Sequence, residues 1–114
     1  MSPEAPLAAL RPARARIDLD RLGANYDAVR EAAGLPVMPV VKADAYGHGA
    51  PLVARALVAR GAPCLAVAYP EEAVPLRDAG ITVPILALAG FSAGQGTQHL
   101  GRAQVVQQHV PGWR

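Results

Sequence analysis

Three apolar segments of strand length, each preceded by a helix-like segment, constrain the fold of this chain more than any other feature. Strands that are apolar on both faces are typical of a parallel sheet covered by helices. The alternation of helix and strand therefore predicts the α/β class. The predicted strands cover residues 37–43, 63–69 and 83–89, and the predicted helices cover residues 18–34, 51–60 and 70–79.

Capping residues and prolines set the expected ends of these helices. In the first helix, Asp20 is available as an N-cap and Gly34 as the terminator. In the third, Pro75 is compatible with a helix only if the first regular turn begins near Glu72, where a missing N–H is not needed. We expect this arrangement.

Two architectures fit the alternation: a doubly wound sheet and a (β/α)8 barrel, which typically takes about 250 residues. With 114 residues, the chain supplies only part of a barrel, about the first three to four β/α units. We expect residues 1–13 to be an N-terminal extension without order and residues 14–92 to be an incomplete barrel domain. Residues 93–114 are expected to be a divergent tail.

The expected tail differs in composition from the rest of the chain, because it holds all five glutamines and no acidic residue. Within it, Val105 and Val106 predict a short strand. An ordinary polar surface tail is one interpretation. We favour the other, a chain truncated or shifted in reading frame inside a larger barrel, because three parallel strands leave two open sheet edges.

Composition excludes several classes of protein. The apolar stretch around Pro84 is shorter than the roughly 18 residues of a membrane span, so no transmembrane helix is expected. The net charge of +2 is dispersed without a basic run, which argues against nucleic acid as a partner. Cys64 is the only cysteine, so we expect a buried thiol, no disulfide and no metal site. The N-terminus lacks a secretory pattern, so the expected location is cytoplasmic.

The chain's only lysine, Lys42, ends the first predicted strand. Ligands bind at the carboxyl ends of strands in α/β sheets. A lysine rooted there among apolar neighbours is partly desolvated, which disfavours the ammonium and favours the neutral amine that a Schiff base requires. Arginine cannot replace it, because its guanidinium keeps its proton.

The turn after Lys42 suits a phosphate. Gly47 and Gly49 let the backbone approach an anion or adopt positive φ, and Tyr46 can donate a phenolic hydrogen bond. An aldehyde cofactor carrying a phosphate matches both the amine and the turn. On spacing alone, a solvated lysine followed by a plain turn remains the open alternative.

The consecutive string from Val40 to Gly49, VVKADAYGHG, closely resembles the pyridoxal-phosphate attachment motif of bacterial alanine racemases. The resemblance extends over about residues 14–92. Upstream, Ile17 to Asp20 and Asn25 resemble the opening strand and first helix of that family. Downstream, the matching segments are Glu71-Glu72-Ala73, Gly80-Ile81 and Pro84-Ile85-Leu86.

The resemblance implies a fold-type III pyridoxal-phosphate barrel that interconverts L-alanine and D-alanine, supplying D-alanine for the cell wall. It implies that Lys42 binds pyridoxal 5'-phosphate as a Schiff base and acts as one of two bases on opposite faces of the α-carbon. It implies that Tyr46 hydrogen-bonds the cofactor phosphate. His48 is expected to be neutral and bonded to backbone, and Asp44 to be a turn residue. The complete enzyme is expected to be a homodimer.

Two parts of the family's site have no counterpart in the chain. The opposing base is a tyrosine from the C-terminal domain of the partner subunit, and an arginine from a later strand faces the pyridine nitrogen. Tyr26 and Tyr69 lie in the wrong segments to replace that tyrosine, so we expect this chain alone to be inactive. Alternatives are a related barrel racemase or decarboxylase for another amino acid, a non-catalytic pyridoxal-phosphate carrier, and a chain that does not fold alone.

Overall fold

The computed structural model describes residues 13–89 and the strand Val105–Val106, and the expected N-terminal extension and most of the expected tail lie outside them. Apart from the first predicted strand, the elements follow the predicted alternation. They are α1 (Leu19–Ala33), α2 (Ala50–Ala59), β1 (Leu65–Val67), a 3-10 helix (Pro70–Glu72), α3 (Ala73–Asp78), β2 (Ile85–Ala87) and β3 (Val105–Val106).

The sheet is parallel, and its strands lie side by side in chain order. β1 pairs with β2, and β2 pairs with β3. On the other side of β1, Val40 forms a single parallel bridge to Ala66. A doubly wound sheet reverses its strand order at a switch point, whereas neighbours in a (β/α)8 barrel follow the chain. The chain-order pairing of the described strands agrees with the predicted partial barrel, and the short strand at Val105–Val106 is confirmed.

The first predicted strand, residues 37–43, does not form as a strand and is reduced to the single bridge at Val40. Ala66 donates its N–H to the Pro39 carbonyl (2.9 Å), and Val41 donates to the Ala66 carbonyl (2.8 Å). Pro39 has no N–H, and here its backbone acts as an acceptor, so proline is tolerated at this position. Pairing ends at Val41, because Lys42 begins a turn instead of extending the strand to residue 43.

Helix α1 begins one residue after its cap, at Leu19. The N-cap is Asp18, whose carboxylate accepts the Arg21 N–H at 3.1 Å; the expected cap, Asp20, lies in the first turn instead. Gly34 ends the helix in the left-handed conformation, as predicted. The opening strand expected around Ile17 is absent, because residues 13–18 carry no regular structure.

Helix α3 confirms the expectation for Pro75. The 3-10 turn ends at Glu72 and the α-helix begins at Ala73, so Pro75 lies in the first turn, where no intrahelical N–H is required. After the helix, Arg77 donates to the carbonyls of Ile81 (3.0 Å) and Val83 (2.7 Å), which fixes the loop leading into β2. Burial lowers the pKa of the Arg77 guanidinium from its ordinary value.

The core lies between the helices and one face of the sheet. Leu65, Leu76 and Ile85 are fully buried there. Cys64 is partly exposed, so the expectation of a buried thiol is wrong; it precedes β1 rather than lying inside it. None of the described helices combines the length and the apolar character that crossing a bilayer requires.

Candidate active site

Lys42 lies where the polypeptide leaves the sheet. Val40 is the last residue bridged to β1, and Lys42 follows two positions later at the carboxyl end of this edge. Its side chain is partly buried. The sheet thus places the chain's only lysine at the carboxyl end of its strands, which is where barrel enzymes carry out their chemistry.

The turn that follows is left-handed. Residues Lys42–Tyr46 form one helical turn in which Ala43, Asp44, Ala45 and Tyr46 have φ between 52 and 55°. For residues with a Cβ, this conformation costs roughly 1–2 kcal/mol each. Sequence reasoning missed this turn, because no residue in it favours positive φ strongly enough to predict four in succession.

Hydrogen bonds within and across the turn offset this strain. The Ala45 N–H donates to the Val41 carbonyl at 3.0 Å. The Ala43 N–H donates to the Glu72 carboxylate at 2.7 Å, a charge-assisted bond from another element. Glu72 was expected only to mark the start of the third helix, so its contact with the lysine turn is an addition to the predicted site.

Asp44 closes the turn, as expected of a turn residue. Its carboxylate accepts the Ala50 N–H at 2.8 Å, which satisfies the first amide of α2. Its carbonyl accepts the N–H groups of Gly47 and Gly49, both at 3.1 Å. His48 is bonded to backbone, as expected: its Nδ1 lies 2.8 Å from the Ala45 carbonyl, an acceptor that requires the ring to donate from Nδ1.

These hydrogen bonds show that the prediction of a phosphate site at Gly47 and Gly49 was wrong. Gly47 and Gly49 do adopt positive φ, 85° and 91°, as their residue type allows. Their N–H groups are nevertheless used inside the turn, and the Ala50 N–H is capped by Asp44. The glycines therefore shape the turn and do not present amides to an anion.

Tyr46 and Lys42 are brought together. The Lys42 Nζ lies 5.9 Å from the centroid of the Tyr46 ring, and 71% of the tyrosine is exposed. A primary amine beside an accessible phenol is a donor set that fits an aldehyde bearing a phosphate. No group of three or more metal-ligating side chains occurs among the described residues.

A cavity of about 320 Å³ lies on the α1 side of the turn, and its lining is mainly apolar. Tyr46 and His48 line it, with Val40 and residues of α1 and α2. Lys42 is not one of the lining residues, although the Tyr46 ring that it approaches is.

Comparison with known proteins identifies the family. The family model "Alanine racemase, N-terminal domain" matches residues 17–108, which extends past residue 92, the expected end of the resemblance. The alanine racemase of Pseudomonas syringae is 57% identical over 82 residues, covering 72% of this chain and 23% of the relative. A catabolic alanine racemase of Pseudomonas aeruginosa is 56% identical over 82 residues, with the same coverage of both chains. The chain thus spans about a quarter of the length of these relatives.

Solved structures agree with the sequence match. Alanine racemase from Bacillus anthracis with bound L-Ala-P has a TM-score of 0.71 and 37% identity, covering 82% of this chain and 24% of that one. Alanine racemase from Bartonella henselae with covalently bound pyridoxal phosphate has a TM-score of 0.70 and 31% identity, covering 80% and 26%. On the family match, the shared fold and the identity of its relatives, this chain belongs to the alanine racemase N-terminal domain family.

Proposed function

We propose that this chain is the part of an alanine racemase barrel that carries the cofactor, and that pyridoxal phosphate binds covalently to Lys42. The observation that carries the proposal is the partly buried Lys42 at the carboxyl end of the sheet, with the Tyr46 ring centroid 5.9 Å from its Nζ. The names of its relatives, one of them solved with covalently bound pyridoxal phosphate, support the same assignment.

Each residue has a defined role in this proposal. Lys42 would hold the cofactor through its aldehyde carbon, and Tyr46 would hold the phosphate by donating a phenolic hydrogen bond. The cofactor supplies an electron sink for the α-carbon of the substrate. Once the substrate amine has displaced it from the aldehyde carbon, the freed Lys42 amine would hold and return a proton at Nζ on one face of the α-carbon. Alanine is the proposed substrate, because the matched relatives are named for it.

We further propose that the complete protein is a cytoplasmic homodimer that supplies D-alanine for the cell wall. The proposal rests on the family match and on the opposing base, which the resemblance assigns to a tyrosine in the C-terminal domain of the partner subunit. Velocity sedimentation of the complete enzyme tests the dimer, and a monomer that racemises alanine would contradict it.

Covalent trapping tests the proposal directly. The 114-residue chain carries two primary amines, the Lys42 side chain and the α-amino group. After incubation with pyridoxal phosphate and reduction with borohydride, we expect peptide mapping to find the pyridoxyl group on Lys42. The matched control is Lys42→Arg, which keeps the positive charge but cannot condense. Label confined to the α-amino group, or equal labelling of the control, would overturn the proposal.

A further inference from the structure

The Glu72 carboxylate connects two segments of the chain that belong to different β/α units, the turn after Lys42 and the turn after β1. One oxygen accepts the Tyr69 N–H at 2.6 Å, which caps the 3-10 helix after β1. The other accepts the Ala43 N–H at 2.7 Å, directly after Lys42. A helix cap needs only the first of these bonds, so the second calls for a separate explanation.

We propose that Glu72 is a positioning residue for Lys42: it fixes the start of the left-handed turn and, through it, the direction in which the lysine leaves the sheet. This inference rests on the proposed function of Lys42. The amides at the start of a helical turn have no partner within the turn, whatever its hand. Glu72 supplies that partner for Ala43, in a backbone conformation that a residue with a Cβ rarely adopts.

The two carboxylate oxygens are both required. Glutamine has one acceptor oxygen, and its NH2 group would face the other N–H donor. Glu72→Gln therefore keeps the size of the side chain and loses one of the two bonds; we expect it to keep the bond to Tyr69, three residues away in the same turn, and to lose the one to Ala43, 29 residues away. Glu72→Asp keeps the charge but is one methylene shorter, so it separates the effect of charge from that of reach. Glu71→Gln is the matched control, because Glu71 is adjacent and exposed.

Amide hydrogen exchange on the full chain measures the proposed contact without cofactor. We expect the Ala43 amide to exchange at least tenfold faster in Glu72→Gln and Glu72→Asp than in the unsubstituted chain and in Glu71→Gln. The Leu65 amide, which donates to the Pro84 carbonyl at 3.0 Å within the sheet, reports whether each variant is folded. Unchanged exchange at Ala43 in a folded Glu72→Gln chain would overturn the inference.

Labelling with pyridoxal phosphate measures the consequence. In the same four chains, we expect the rate of borohydride-trapped labelling at Lys42 to fall at least fivefold in both Glu72 variants and to stay unchanged in Glu71→Gln. Faster exchange at Ala43 with unchanged labelling would show that Glu72 only shapes the backbone, which overturns its positioning role. Absence of label from Lys42 in the unsubstituted chain overturns the proposed function instead, so the two failures are distinguishable.

Discussion

At the scale of single residues, two tyrosines have opposite surroundings. Tyr26 is 7% exposed and donates its hydroxyl to the Val37 carbonyl at 2.9 Å. Tyr46 is largely exposed and lies beside Lys42. The first tyrosine therefore fastens α1 to the segment that leads to the lysine, whereas the second is available to a ligand.

Removing the Tyr26 hydroxyl leaves the Val37 carbonyl without that donor. We expect Tyr26→Phe to lower the free energy of unfolding by about 1 kcal/mol, the usual net value of such a bond. Urea unfolding followed by circular dichroism provides the measurement. Tyr46→Phe is the control, with an expected change within about 0.5 kcal/mol, as is usual at exposed positions. Equal destabilisation by both substitutions would contradict the assignment.

At the scale of elements, the lysine turn is held at its far end by Asp44, which caps α2 through the Ala50 N–H. We expect Asp44→Ala to destabilise the chain by about 1 kcal/mol, because the first amide of α2 loses its acceptor. Asp44→Asn keeps an acceptor oxygen and should cost less than half as much. Thermal unfolding of the three chains compares them, and a larger loss in the asparagine variant would be the contrary result.

Most elements of the fold were predictable, because helix ends and buried strands depend on local signals. Gly34 ended α1, and the position of Pro75 required α3 to begin where it does. The left-handed turn was not predictable from local signals, since they disfavour positive φ at its alanines. The role of Glu72 was also missed, because its bond to Ala43 spans 29 residues and forms only in the folded chain. The prediction of a phosphate site at Gly47 and Gly49 was wrong for a related reason. The spacing of glycines predicts backbone freedom, but not the direction in which the amides point.

At the scale of the whole molecule, the proposed function gives Lys42 only one of the two bases that racemisation requires. The Tyr26 hydroxyl is already bonded to Val37, and Tyr69 lies at the start of the 3-10 helix. We therefore expect the purified 114-residue chain, supplied with pyridoxal phosphate, to leave L-alanine unconverted. Chiral chromatography of the amino acid measures this, with a complete alanine racemase as the positive control. Turnover comparable to that control would contradict the expectation.

The bond between Glu72 and Ala43 also bears on the order in which the site matures during synthesis. A nascent chain that has emerged only as far as β1 already carries the lysine, but not the carboxylate that secures its backbone. Competence to capture the cofactor would thus arise when the second β/α unit docks on the first. Under the proposed function, covalent binding of pyridoxal phosphate then indicates that two consecutive β/α units have assembled correctly.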